Sequence, residues 1–156
     1  MIELEFFFHS RQRELFRSGV LIDIWASRYP QLFDDKDIVI ARKQNAYHFF
    51  EWLAAVLLYE STGYLSLVEK YELNAHTRKV ETLKKAVPSS VYDFVKNRKG
   101  IPDLFVYAPN FSDWFFCEVK GLGDVPSPEQ IKCIQQLEEL SGKQVRVIRF
   151  TEIGSQ

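Results

Sequence analysis

The sequence predicts an α/β fold, a small mixed β-sheet flanked by helices with an additional helical N-terminal segment. Two features carry this reading. From residue 10 to residue 97 the apolar side chains recur at helical spacing, whereas residues 104–150 form β-β-α-β, with short apolar and aromatic-rich runs on either side of one helix. The composition agrees with one well-filled core: 156 residues, 46% hydrophobic, 26% charged and 15% aromatic, with 13 Phe, 7 Tyr and 3 Trp.

Each element has its own signal. Residues 10–16 and 21–29 read as short helices, separated by Ser18-Gly19 and closed by Pro30. Asn45 is a candidate cap for a helix running to residue 61, where Gly63 stops it. Residues 77–87 and 89–97 read as two more helices, the second set off by Pro88 and Gly100. Residues 104–108 and 114–120 are bounded by Pro, Asn, Ser and Gly and read as strands. Ser127 then opens a helix as N-cap, with Pro128 at N1 and Gln130 at N3 completing a capping box; Gly142 ends it. Residues 145–150 alternate apolar and basic and form a last strand. The expected organisation is residues 1–43 as a helical extension on a main unit of residues 44–156, the two forming one compact body.

Charge and composition narrow the function classes. With 20 Lys+Arg against 21 Asp+Glu and a net charge of -1, the chain is not a globally basic nucleic-acid binder. A local patch remains: residues 68–100 carry 8 basic and 4 acidic side chains, among them Arg78, Lys79, Lys84, Lys85, Lys96, Arg98 and Lys99. Lys84, Lys85, Arg98 and Lys99 are candidate phosphate contacts, the alternative being a solvated helical face. Glu3 and Glu5 replace the basic start of a secretory leader, and Glu51 breaks the longest apolar run, residues 49–58, at about half a membrane span. No membrane association is expected. Cys117 and Cys133 suggest neither a disulfide framework nor a zinc site, so the expected setting is reducing, intracellular and cytoplasmic.

Three carboxylates stand where a core should not want them. Asp103 heads the first strand of the hairpin, and Glu118 lies near the end of the second, on the same face as Lys120 two residues on. If the turn is centred between Asn110 and Phe111, Ala108 opposes Asp113, Val106 opposes Phe115, and Asp103 opposes Glu118. Directly opposed Cβ atoms lie about 4.5–5.5 Å apart. Two carboxylates at that distance need a cation or a shared proton. Glu51 is the one non-apolar side chain in residues 49–58 and needs a partner as well. A divalent cation shared with Asp103 and Glu118 is one solution, and a buried Lys or Arg is the other. Carboxylate oxygens suit Mg²⁺ or Mn²⁺, which polarises a phosphoryl oxygen and lowers the pKa of water. Lys120 beside such an ion can orient or deprotonate that water or stabilise developing charge; alternatively it is the ion-pair partner of Glu118.

The wording around these residues adds specificity. Gly100-Ile101-Pro102-Asp103-Leu104, Phe116-Cys117-Glu118-Val119-Lys120-Gly121, Gly123-Asp124 and Ser127-Pro128-Glu129-Gln130 occur in that order. This run resembles the VRR-NUC (virus-type replication-repair nuclease) domain of the PD-(D/E)xK nuclease superfamily. The resemblance covers residues 100–150 and extends more loosely to the Glu51 helix. It implies a restriction-endonuclease-like core, with Asp103, Glu118 and the Val119 carbonyl as ligands of one or two Mg²⁺ or Mn²⁺ ions. It also implies Lys120 as the catalytic lysine, Gln130 as a helper near the phosphate or its water, and Glu51 as the acidic residue borne on a helix. Val125-Pro126 stand where the family often has a basic and an aliphatic residue, and Lys132 and Cys133 where an aromatic often follows the Gln.

The function these readings lead to is metal-dependent hydrolysis of DNA phosphodiesters by water. The resemblance suggests branched or flapped DNA, and a four-way junction cut by a homodimer is a plausible specialisation. The alternatives are a restriction- or defence-type endonuclease and a catalytically inert DNA-binding scaffold. Other candidates read as structural: His48 three residues before Glu51 as a core-edge hydrogen bonder, Cys117 as core, Cys133 as a helix-face residue and Asp124 as a turn former. Phe105, Tyr107, Trp114 and Phe116 share the Asp103–Glu118 face as packing.

Overall fold

The computed structural model describes residues 1–68, 71, 76–96 and 98–154. The strands are β1 (Ile2–Phe8), β2 (Leu65–Leu67), β3 (Leu104–Tyr107), β4 (Trp114–Lys120) and β5 (Arg146–Glu152). They form one mixed sheet in the order β1-β5-β4-β3-β2, in which β1, β5 and β4 run parallel and β3 and β2 pair antiparallel. The helices are α1 (Ser10–Arg17), α2 (Val20–Arg28), α3 (Asp35–Lys43), α4 (Phe49–Thr62), α5 (Thr77–Ala86), α6 (Ser89–Val95) and α7 (Pro128–Ser141).

Helices cover both faces, which is why all but the last residue of β4 are buried. On one face Phe16 of α1, Trp25 of α2 and Trp52 of α4 pack with Phe115, Cys117 and Ile148 of the sheet. On the other, Leu83 of α5, Val91 of α6 and Leu137 of α7 pack on Phe105, Phe116 and Val147. Successive β4 residues therefore serve different cores, and the parity that sends Cys117 to α4 sends Glu118 to the side of α6 and α7. Parallel β4 and β5 need a crossover, and α7 provides it. Its start is fixed by the expected capping box: the Gln130 N–H donates to Ser127 Oγ (3.1 Å) and the Ser127 N–H to Gln130 Oε1 (2.9 Å). Gly142 ends it in the left-handed region, φ 70°.

The α/β class and the β-β-α-β order hold, while three local expectations change. Residues 2–8, given no element above, are a strand paired to β5 from Ile2↔Arg146 to Phe8↔Glu152, so the N-terminal segment enters the sheet before its helices begin. Asn45 caps nothing. Its side-chain amide donates to the Arg17 carbonyl (2.7 Å), and the helix starts four residues later, behind His48 at φ 68°. The unforeseen α3 precedes it, opened by a capping box between Asp34 and Asp37. Asn97, the expected last residue of the α6 helix, lies outside the described residues. Among the described residues no helix is long and apolar enough to cross a membrane.

Candidate active site

The β3–β4 ladder has the register expected from the sequence: Tyr107↔Trp114, Val106↔Phe115, Phe105↔Phe116 and Leu104↔Cys117. Asp103 and Glu118 are the next pair along it. Asp103 extends past the ladder, and its Oδ2 accepts the Val119 N–H at 2.8 Å, tying the carboxylate to the β4 backbone. Glu118 is 0% exposed, and neither carboxylate oxygen accepts a hydrogen bond from a protein donor. Burial pushes its pKa up to about 10, reinforced by the neighbouring Asp103 carboxyl group and its charge; Lys120 opposes the shift. Without a cation the pair holds a proton.

Lys120 completes the group. Its Nζ lies 4.0 Å from Glu118 Oε1 and donates to Gln130 Oε1 at 3.0 Å. Gln130 thus has two tasks from one oxygen, closing the α7 capping box and holding the lysine ammonium over the end of β4. The structure brings together four of the sequence-derived residues, Asp103, Glu118, Lys120 and Gln130, with Val119 between two of them.

Glu51 sits in the first turn of α4, which packs on the opposite sheet face. That turn nevertheless reaches the same end of the sheet. A Cβ placed on Gly121, the residue after Lys120, would lie 2.7 Å from a Phe50 ring carbon, so only glycine lets the helix approach this closely. His48 Nδ1 stands 3.9 Å from Glu51 Oε2, and the other ring nitrogen is 2.6 Å from Gln44 Oε1. Among the described residues no three acidic, His or Cys side chains converge closely enough to hold an ion. The Asp103–Glu118 pair still fits a divalent cation: two buried, donor-less oxygens and a proton-sharing neighbour are the arrangement that a dication relieves. Cys117 and Cys133 are buried free thiols in opposite cores.

The basic block divides. Lys79 is fully buried, its ammonium donating to the Asp37 carboxylate and the Val68 carbonyl, and Arg78 Nε bonds Asp34 Oδ2 at 3.1 Å. Lys79 therefore cannot face a phosphate as the sequence suggested, while Arg78 stays exposed in an ion pair. A helical pattern alone does not reveal that an acid from a distant helix, Asp37, folds onto Lys79. Lys84 lies over the Tyr92 ring (5.0 Å) and Lys85 over Phe111 (4.7 Å), at the hairpin turn and hence at the far end of β3 and β4 from Asp103. Arg98, stacked 3.8 Å over Phe94, and Lys99 share a cavity with Glu129, Lys132 and Cys133 of α7. They stand beside the helix that carries Gln130.

Comparison with known proteins agrees with this geometry. The VRR-NUC domain profile matches residues 39–151, most of the chain. No curated protein matches it. A sheet of this topology, an Asp–Glu-x-Lys set at the end of its central hairpin and the profile match lead to one family: the chain belongs to the VRR-NUC family, and it is a nuclease domain with a restriction-endonuclease-like fold.

Proposed function

We propose that the chain is a metal-dependent endonuclease that hydrolyses DNA phosphodiester bonds with one or two Mg²⁺ or Mn²⁺ ions and selects branched or flapped DNA. The Asp103–Glu118 pair, half-buried at Asp103 and fully buried at Glu118, carries the reading, because two carboxyls sharing a proton are poor scaffold and a ready cation site. When bound, the cation polarises the phosphoryl oxygen and lowers the pKa of water. Asp103, Glu118 and the Val119 carbonyl would hold it; the family resemblance adds Glu51 of α4, whose carboxylate would have to move in to join them. Lys120, aimed by Gln130, directs its ammonium at the charge that builds on the phosphoryl oxygens. A pure DNA-binding scaffold has no use for this arrangement.

Selectivity for branched or flapped DNA rests on the family resemblance. Each chain carries one carboxylate set, so paired cuts at a four-way junction call for a homodimer. A DNA substrate fits an intracellular protein, in the cytoplasm and at the nucleoid or nucleus according to the host. The test is cleavage of labelled four-way, flapped and linear DNA with and without Mn²⁺. Cation-dependent cutting that favours the branched forms is expected. Cutting confined to one sequence in linear DNA would make it restriction-type, and binding without cutting in either cation would make it a scaffold.

Two further results are expected. Glu51→Gln keeps the side chain's shape and removes one anion, so cleavage falls. The rise in melting temperature on adding Mn²⁺, which follows RT ln(1 + [L]/Kd), shrinks too. An unchanged Mn²⁺ shift with a lower metal-free melting temperature would make Glu51 a structural ion-pair partner. Replacing Arg98 and Lys99 with Ala weakens DNA binding for every sequence and flattens its log–log salt dependence by about 1 per lost phosphate contact. Lys84 and Lys85, at the far end of the hairpin, give the same effect only on DNA that extends well past the cut. Unchanged salt slopes in both double variants would return the block to a solvated face.

A further inference from the structure

We propose that Arg13 and Arg17 of α1 form a second phosphate-binding wall beside the active site, gripping the DNA backbone where it passes the Lys120–Gly121 end of β4. The inference rests on the nuclease reading and concerns residues outside the family match, which begins at residue 39. β1, β5 and β4 are parallel, so their carboxyl ends share one rim, and α1 follows β1 directly onto it. Crevices outside the carboxyl ends of parallel strands are where α/β sheets take ligands.

A cavity opens on this rim, lined by Ser10, Arg13, Glu14, Arg17, Leu122 and Glu152 among others. The Arg13 guanidinium lies 5.2 Å over the Phe50 ring, the same ring that abuts Gly121. Its Nε is buried and donates to nothing. Neither Arg13 nor Arg17 has an acidic partner among the described residues. Glu14 is engaged by Arg11 at 3.6 Å, leaving two guanidiniums against the carboxylate of Glu152. The Arg17 side chain is exposed, while its carbonyl is pinned by Asn45, which fixes the end of α1 to the turn before α4.

An arginine seated over an aromatic ring with no acidic partner keeps its donors for an oxyanion, and phosphate matches its fork. The α1 wall lies on the α4 face of the sheet, whereas Arg98 and Lys99 lie by α7 on the other. The two basic groups therefore flank the strand end that carries Asp103, Glu118 and Lys120.

The test uses full-length Glu118→Gln protein, so that DNA stays intact, and fluorescence anisotropy with a fluorescein-labelled flapped duplex over a salt series. Adding Arg13→Gln and Arg17→Gln should raise Kd roughly tenfold or more and make the log–log salt slope shallower by about 2. Arg11→Gln together with Glu14→Gln, which removes that ion pair whole, should change neither. Arg17→Gln alone removes an exposed side chain without touching the core, so a slope change of about 1 is expected even if the double variant folds poorly. An unchanged slope in Arg17→Gln, or an equal loss in the Arg11→Gln, Glu14→Gln pair, overturns the wall. Wild-type cleavage with Mn²⁺ is read separately. No cleavage with an arginine-dependent slope removes the nuclease reading and keeps the wall, and cleavage without arginine dependence removes only the wall.

Discussion

Glu118→Gln and Lys120→Ala should each give a folded protein that no longer cuts DNA. Loss of one donor aimed at developing charge costs about 10²–10³ in rate, and Lys120→Ala removes such a donor. Glu118→Gln removes the anion at the centre of the cation site, and its loss should be at least as large. The stability readout goes the other way. In metal-free wild type the Glu118 pKa is about 10, raised by burial and then by Asp103, against 4.5 for an ordinary glutamate. Between those values the native state binds the extra proton, so wild-type stability falls as pH rises, by at most about 1.4 kcal/mol per pH unit. Glutamine neither titrates nor repels Asp103. Metal-free Glu118→Gln should therefore show a flatter pH dependence and melt at or above wild type at pH 7–8. Near-normal cleavage by either variant would remove these residues from the chemistry. A large metal-free destabilisation of Glu118→Gln would make Glu118 the structural partner of Lys120.

Much of the site is legible because it is built by local rules. The hairpin register follows from the turn between Asn110 and Phe111, and period-2 alternation then places Asp103, Glu118 and Lys120 on one face. The α7 start is equally local, since the spacing of Ser127, Pro128 and Gln130 states its own capping box. What the sequence does not disclose is which distant groups meet. The cap residue Gln130 also holds Lys120, a contact that exists only once α7 is laid across β4. Asn45 has the chemistry of a cap, yet the Arg17 carbonyl of α1 takes its amide instead. β1 alternates Ile2, Leu4, Phe6 and Phe8 with Glu3, Glu5 and Phe7, a strand pattern in plain view. Its place beside β5, at the opposite end of the chain, is fixed only by the parallel ladder. β2 has three residues, too few for periodicity to register. Lys79 shows the same limit: charge density along the chain does not tell an exposed Lys99 from a buried Lys79.

Lys79→Met should therefore cost folding stability and leave the DNA-binding salt slope unchanged. Lys79 and Asp37 are 0% and 1% exposed, and the pair joins α5 to α3, with the Val68 carbonyl as the second acceptor of the ammonium. Asp37 Oδ2 also accepts the Asp34 N–H at 3.1 Å, so the carboxylate is held from both sides. Removing one partner of a buried pair costs about 3–5 kcal/mol, since the other charge is left without compensation. The loss should depend on pH with a definite sign. Burial already raises the Asp37 pKa from 3.8 to about 6 against the opposing pull of Lys79. Without that pull it rises further. Below about pH 6 both folded proteins hold the Asp37 proton and the deficit is nearly constant; above it only the variant does, so the deficit grows toward pH 8. Urea unfolding of both proteins across that range measures it. Converting the pair together, Asp37→Leu with Lys79→Met, should recover part of the loss, because apolar replacements of buried pairs are often neutral. A deficit below about 1 kcal/mol at pH 8, joined to a shallower salt slope, would mean that Lys79 reaches solvent and belongs with the DNA-facing cations after all.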